Sequence, residues 1–233
     1  METNRKVAII VGSLFILADI TLFAGEAFYK PILSSPDYLD IAYPNEVGIT
    51  TGILLEFTGY LGLVLIPVLL FPVLKKHNQI LALGYVSFRL FEVVLLSIAQ
   101  VSKLALVSLS ETYLSAGGKD VAQFQNIGHA IQSLINWVNS DGFIYITVFV
   151  IGTLMLNAVF YTSRLVPRWV SIWGLLAAVA LLAATVIDTF DLASEMVAIA
   201  LVIPIALQEI VMSVWLIIKG FNPAPNAVEV YRS

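Results

Sequence analysis

The sequence has no cysteine. Disulfides, thiolate chemistry and cysteine-ligated zinc are therefore excluded, and the redox compartment is left undecided. Charge is also scarce. Only 12% of the 233 residues are Asp, Glu, Lys or Arg, against about 25% in an ordinary soluble domain. The net charge of −4 comes without any basic block, so nucleic acid is not an expected partner. With only two histidines, bis-histidine haem ligation is poorly supported. No HExxH, GxSxG, P-loop or dinucleotide fingerprint occurs in a suitable context, so no cofactor is implied.

What is abundant is apolar surface: 59% of residues are hydrophobic and mean hydropathy is +0.93. Six runs are long enough to span a hydrocarbon core of ~30 Å, which needs about 20 helical residues. They lie near Val7–Ala24, Ile49–Leu74, Ile80–Val107, Trp137–Tyr161, Val170–Ile187 and Val197–Ile218. The short polar start, Met1 to Lys6, leads directly into the first run without a small-residue cleavage site, so that run reads as a retained helix. Residues 1–220 form one six-helix transmembrane domain in this reading, and 221–233 a short cytoplasmic tail. The lipid bilayer is the first expected partner.

Between spans three and four, Val121, Phe124, Gly128, Ile131, Ile135 and Val138 recur at helical spacing behind Gly117-Gly118. This predicts an external amphipathic helix with Asp120 as its N-cap, either lying in the interface plane or extending the fourth span. Tyr29, Tyr38, Tyr43, Trp137, Tyr161, Trp169 and Trp173 fit an aromatic belt.

Lys and Arg set the orientation. Arg5, Lys6, Lys75, Lys76, Arg164, Arg168, Lys219 and Arg232 fall on one side, whereas Lys30, Lys103 and Lys119 fall on the other. The positive-inside rule then places both termini in the cytoplasm of a multi-pass cell-membrane protein.

Five ionisable residues are read as lying deep inside the runs: Asp19, Glu56, Arg89, Glu92 and Glu209. A charge at a helix centre costs roughly 2.5–3.5 kcal/mol on insertion scales, so something must offset it. At ~1.5 Å per residue, Asp19, Glu56 and Glu92 share one layer about 18–20 Å above the cytoplasmic boundary. Arg89 and Glu209 lie just beneath. Gly48, Gly52 and Gly59 share a stripe with Glu56, so that face meets a neighbouring helix. Pro204 lies one turn before Gln208 and Glu209 and can open a kink beside them.

Two readings follow. The charges form a packing network in which Arg89 bridges Glu92, Glu56 or Glu209. Alternatively they form a working site, because four carboxylates around one guanidinium cannot all stay ionised at low dielectric. Secondary candidates are Gln208, His129 on a polar stripe of the amphipathic helix, and Asn157 near the inner end of span four. Each has a plainer role as an interfacial or helix-bridging polar group.

Three stretches carry a resemblance: LALGYVSFRLFEVVLL in span three, FYTSRLVPRWVSIWGLL leading into span five, and IPIALQEIVMSVWLIIKGFN closing span six. In order and over most of the chain they resemble a prokaryotic multi-spanning membrane family catalogued as domain of unknown function 4386. The resemblance implies a multi-helix membrane protein without a known activity. Arg89 and Glu209 sit within the matching stretches. The family's span-four histidine is absent here, where the chain reads INWVNSDGFIYITVFVIGTLMLNAVFYTSR, so no role for it carries over.

The sequence thus reads as an all-α integral membrane bundle whose charge cluster binds or moves a cation, a proton or a small polar solute, as a transporter does. The alternatives are an intramembrane enzyme using the carboxylates with a metal or as an acid–base pair, and a non-catalytic accessory or sensor subunit. Because cysteine is absent, Lys76→Cys and Lys119→Cys each introduce the sole thiol. An impermeant thiol reagent on intact cells should label position 119 and spare 76; the opposite pattern overturns the topology.

Overall fold

The computed structural model describes all residues except Met1, Gly118, Ser140, Ala193 and 224–233, and describes no side chain for Glu2, Thr3, Glu195 or Ala198. Arg232 and most of the predicted tail therefore lie outside the described residues. Everything else with regular structure is helical: α1 (Glu2–Leu33), α2 (Tyr38–Ile41), a 3-10 turn (Tyr43–Asn45), α3 (Glu46–Leu74), α4 (Gln79–Ser115), α5 (Val121–Val138), α6 (Phe143–Ser163), α7 (Arg168–Thr189) and α8 (Glu195–Ile218). Six helical stretches are long and apolar enough to cross a membrane.

The expected runs are all found, but two of the helices continue well past them. The α1 helix continues to Leu33 and α4 to Ser115, because hydrogen bonding along a helix does not stop where the side chains turn polar. The fourth span begins at Phe143 rather than Trp137. Trp137 belongs to α5, which is closed at Asn139 and separated from α6 by a tight turn, Gly142 N–H to Asn139 O at 2.8 Å. The amphipathic helix is thus an element of its own. Asp120 precedes it, but in the left-handed region (φ 55°) and without a side-chain cap bond, which corrects the expected N-cap.

Large apolar side chains face outward along the spans: Phe23 is 73% exposed and Leu176 67%. In water such a surface would drive association; in a bilayer it is the lipid face. The chain divides into two compact units. The first comprises residues 1–17, 62–92 and 146–233; the second comprises 18–61 and 93–145.

In the first unit, α7 packs on α8, and small residues admit close neighbours. A Cβ on Gly12 would lie 2.6 Å from Ser213 O of α8, and one on Gly84 2.5 Å from Met155 Sδ of α6. The end of α8 turns at Gly220 (φ 75°), whose N–H reaches Leu216 O and Trp215 O, a glycine-dependent C-terminal turn. Arg5 donates to the last carbonyls of the same helix: Leu216 O at 3.1 Å, Ile217 O at 2.8 Å and Ile218 O at 2.9 Å.

In the second unit, Tyr29, Leu33, Tyr38, Ile49, Ile53, Leu106 and Tyr113 form a buried cluster, and Phe124, Ile131 and Ile135 of α5 pack on it. Gly128 sets α5 against the Tyr38 ring, and burial pushes the Tyr38 hydroxyl above its ordinary pKa. Tyr29 and Tyr38, expected in an aromatic belt, are interior residues at 5% and 3% exposure. In this unit the α1 and α3 backbones also approach closely. A Cβ on either Gly25 or Gly52 would lie 2.5 Å from the other's carbonyl oxygen. Of the glycine stripe on α3, Gly52 and Gly59 thus meet α1, whereas Gly48 faces open space.

This contrast sets a test. Gly25→Ala and Gly52→Ala should each lower the melting midpoint in detergent, as overpacking by about 1–3 kcal/mol does. Gly48→Ala has no contact to violate and should hold or gain up to about 1 kcal/mol from helix propensity. Equal midpoints for the three variants would rule out the α1–α3 contact.

Candidate functional site

Each unit contains one buried base among its described residues: Arg89 in the first, Lys103 in the second.

Arg89 and Glu92 sit almost one turn apart on α4, 2% and 1% exposed. Arg89 Nη1 donates to Glu92 Oε1 at 2.8 Å and Oε2 at 3.0 Å. Its Nη2 lies 3.7 Å from Glu209 Oε1 on α8. Three rings surround the guanidinium: Phe15 of α1 at 5.8 Å, Tyr85 of α4 at 5.7 Å and Phe149 of α6 at 5.1 Å, each to the ring centroid. Aromatic faces attract a cation, by about 2 kcal/mol when desolvated. Arg89 therefore takes Glu92 and Glu209, two of the three partners open to it from the sequence. Glu56, the third, belongs to the other unit and has its own base.

Glu56 is 3% exposed on α3. Tyr29 of α1 donates to its Oε1 at 2.5 Å, and Tyr60, one turn along α3, to its Oε2 at 3.0 Å. Gln100 of α4 donates Nε2 to the same Oε2 and also to the Tyr60 oxygen at 2.5 Å. Lys103 Nζ stands 3.6 Å from Oε2. A carboxylate with this many donors is fully satisfied without an external cation.

Lys103 is 2% exposed. It donates to the Tyr29 oxygen at 2.7 Å and to Asn139 Oδ1 at 3.2 Å, and it lies 4.1 Å from the Tyr29 ring centroid. Asn139 in turn donates Nδ2 to Asp141 Oδ1 at 3.2 Å. Lys103 and Tyr29 form the inner wall of a cavity of about 310 Å³, whose outer wall includes Glu26, Lys30, Asn139 and Asp141. Glu26 and Lys30 pair with each other at 2.5 Å, partly exposed.

The sequence missed Lys103 and with it the second ion cluster. Counted as an external cation, it is in fact three turns short of the end of α4. Arg89 is thus not the sole cation within the spans, and the excess of carboxylates over bases is smaller than expected. A signal was present: Gln100 and Lys103 are three residues apart in a mostly apolar stretch of α4, so they share a face.

The other candidates fall as follows. Asp19 is half-buried on α1 in the second unit, with Glu56, whereas Glu92 is in the first. Gln208 is buried, with Nε2 3.4 Å from Val170 O. Asn157 is buried against Gly174 of α7, but its hydrogen bond to Thr153 O at 2.9 Å stays within α6. His129 is exposed on α5. Among the described residues, no three Asp, Glu or His side chains gather so as to hold a metal ion.

The pairing of Glu56 with Lys103 is directly testable. Lys103→Met strands a buried carboxylate, and breaking a buried pair costs about 3–5 kcal/mol. Adding Glu56→Gln removes that stranded charge, so the double variant should melt well above Lys103→Met alone. A double variant no more stable than the single one would show that the two charges do not depend on each other.

Neither a curated protein nor a solved structure matches the chain. A family model does, over residues 10–220, which takes in every candidate described above. The chain belongs to the family described as a domain of unknown function, DUF4386.

Proposed function

We propose that this protein binds a small polar solute in the cavity of its second unit and moves it across the membrane. The observation that carries the reading is the buried Lys103 ammonium in the cavity wall, held by Tyr29, Asn139 and Glu56. Isolated charge is expensive to bury. A chain that sets a base and a tyrosine in the wall of a solvent-sized space, backed by a carboxylate, a second tyrosine and a glutamine, gains a specific polar surface there. Pockets that hold small ligands run from about 300 Å³ upward, and this one is at the small end.

Of the chemistries open from the sequence, the geometry favours a polar solute over a bare cation. The Glu56 oxygens are already occupied by donors of the chain, and the group presented to the cavity is an ammonium. The Arg89 cluster, enclosed by rings and carboxylates, fits the packing role. With both termini cytoplasmic, the cavity would open to the exterior, a position suited to solute capture.

The test is a melting series on purified protein against inorganic cations, carboxylates, amines, amino acids and polyols. A ligand that binds only the folded state raises its melting point in step with occupancy. At least one class should stabilise the wild type and have no effect on the Lys103→Met/Glu56→Gln variant, which carries no buried charge there. Identical responses from the two proteins across the whole series would defeat the proposal. A class that passes should then accumulate in proteoliposomes containing the wild type and not in those containing the variant.

A further inference from the structure

The cavity has a direction. Its deepest ionic group is the Lys103 ammonium, 2% exposed. Its outer carboxylates are Glu26, with 29% of the side chain exposed, and Asp141, which is exposed. The base lies at the bottom; at the rim, two carboxylates outnumber the one ammonium of Lys30. Of the rim acids, Glu26 is paired with Lys30, while Asp141 accepts from the Asn139 amide.

Asn139 shows what such a field selects. Its carboxamide lies between the two poles, with Oδ1 accepting from Lys103 at 3.2 Å and Nδ2 donating to Asp141 at 3.2 Å. A neutral dipole from the chain thus points its acceptor inward and its donor outward. A solute that takes over these two contacts must offer the same order. A carboxylate and an ammonium on adjacent carbons do so with full charges, and charge-assisted hydrogen bonds are roughly twice as strong as neutral ones. The space of about 310 Å³ corresponds to about ten waters at ~30 Å³ each, which restricts the solute to a small one. Leu33 and Leu106, both buried in the wall, offer apolar contact to a short side chain.

We infer that the solute is a small zwitterion of the amino-acid type, its carboxylate on Lys103 and its ammonium towards Asp141 and Glu26, with the Asn139 side chain as the group it displaces. This rests on the cavity being the binding site, as proposed above.

Three features of the chain make the inference testable. Asp141 is exposed, so Asp141→Asn should fold normally. Asn139→Ala removes the resident dipole without touching either pole. The probes share one scaffold: alanine carries both charges, propionate only the acid, ethylamine only the base, and 1,2-propanediol none. Alanine should stabilise the wild-type protein at concentrations at least about tenfold below those needed for propionate or ethylamine. In Asp141→Asn that preference over propionate should shrink severalfold. In Asn139→Ala, alanine should act at an equal or lower concentration than in wild type, because nothing has to be displaced.

If propionate or ethylamine matches alanine, the site recognises one charge and the zwitterion is wrong, although the polar-solute reading survives. The diol acting as well as alanine has the same consequence. A preference for alanine that persists unchanged in Asp141→Asn overturns the proposed orientation. If none of the four probes nor any other solute class separates wild type from the Lys103→Met/Glu56→Gln variant, both the inference and the cavity's role fall together.

Discussion

A carboxylate removed from water must be matched where it stands, and the matching of Glu56 organises the second unit. Its partners come from α1 (Tyr29), α3 (Tyr60) and α4 (Gln100 and Lys103). Rotating or sliding any one of these helices by a residue would strand a charge at low dielectric, a larger cost than the mismatch of a few apolar contacts. The polar cluster therefore specifies register, a task that non-directional apolar packing does poorly. Arg89 does the same in the first unit, bringing residues of α4 and α8 to one point within rings from α1 and α6.

Close packing supplies the rest. Lipid tails are as apolar as leucine, so little is gained by burying one leucine against another in a bilayer; van der Waals fit takes over. That is why glycines stand where helices meet. Gly25 and Gly52 bring the α1 and α3 backbones together at the level of the Glu56 cluster, with Glu56 itself packed beside Gly25. The same small residues that bring the helices close let the Tyr29 hydroxyl reach a carboxylate on the next helix.

Much of this was legible in the sequence, for reasons that also explain the omissions. Apolar runs of 20 residues have one physical meaning, so six spans could be read directly. Glu56, Arg89, Glu92 and Glu209 were visible because each interrupts an apolar run near its middle. Lys103 was not, because it lies close to where hydropathy falls, and a lysine there is ordinarily assigned to water. The run read to Val107 already contained it, four residues from its end, but only its burial in the structure takes it out of water. Tyr29 and Tyr60 were hidden for another reason: a tyrosine in an apolar helix serves equally well at a lipid interface or in a hydrogen-bonded core, and composition does not separate the two. Spacing along one helix already allows Arg89 to meet Glu92, but which carboxylate on another helix a base reaches is a matter of three-dimensional proximity.

The contact of Arg5 with the end of α8 has a consequence for how the molecule is made. Its acceptors lie more than 200 residues downstream, at sequence separations of 211, 212 and 213. During synthesis α1 is inserted early, and its guanidinium has no helix end to cap until the last span has emerged. Contacts of such separation carry the largest loop-closure cost and are expected late in assembly. The first unit also includes residues from both extremes of the described chain, whereas the second draws only on its interior, residues 18–61 and 93–145. The cavity-bearing unit is thus complete in sequence while α7 and α8 are still being made, and the arginine clasp can close only after them.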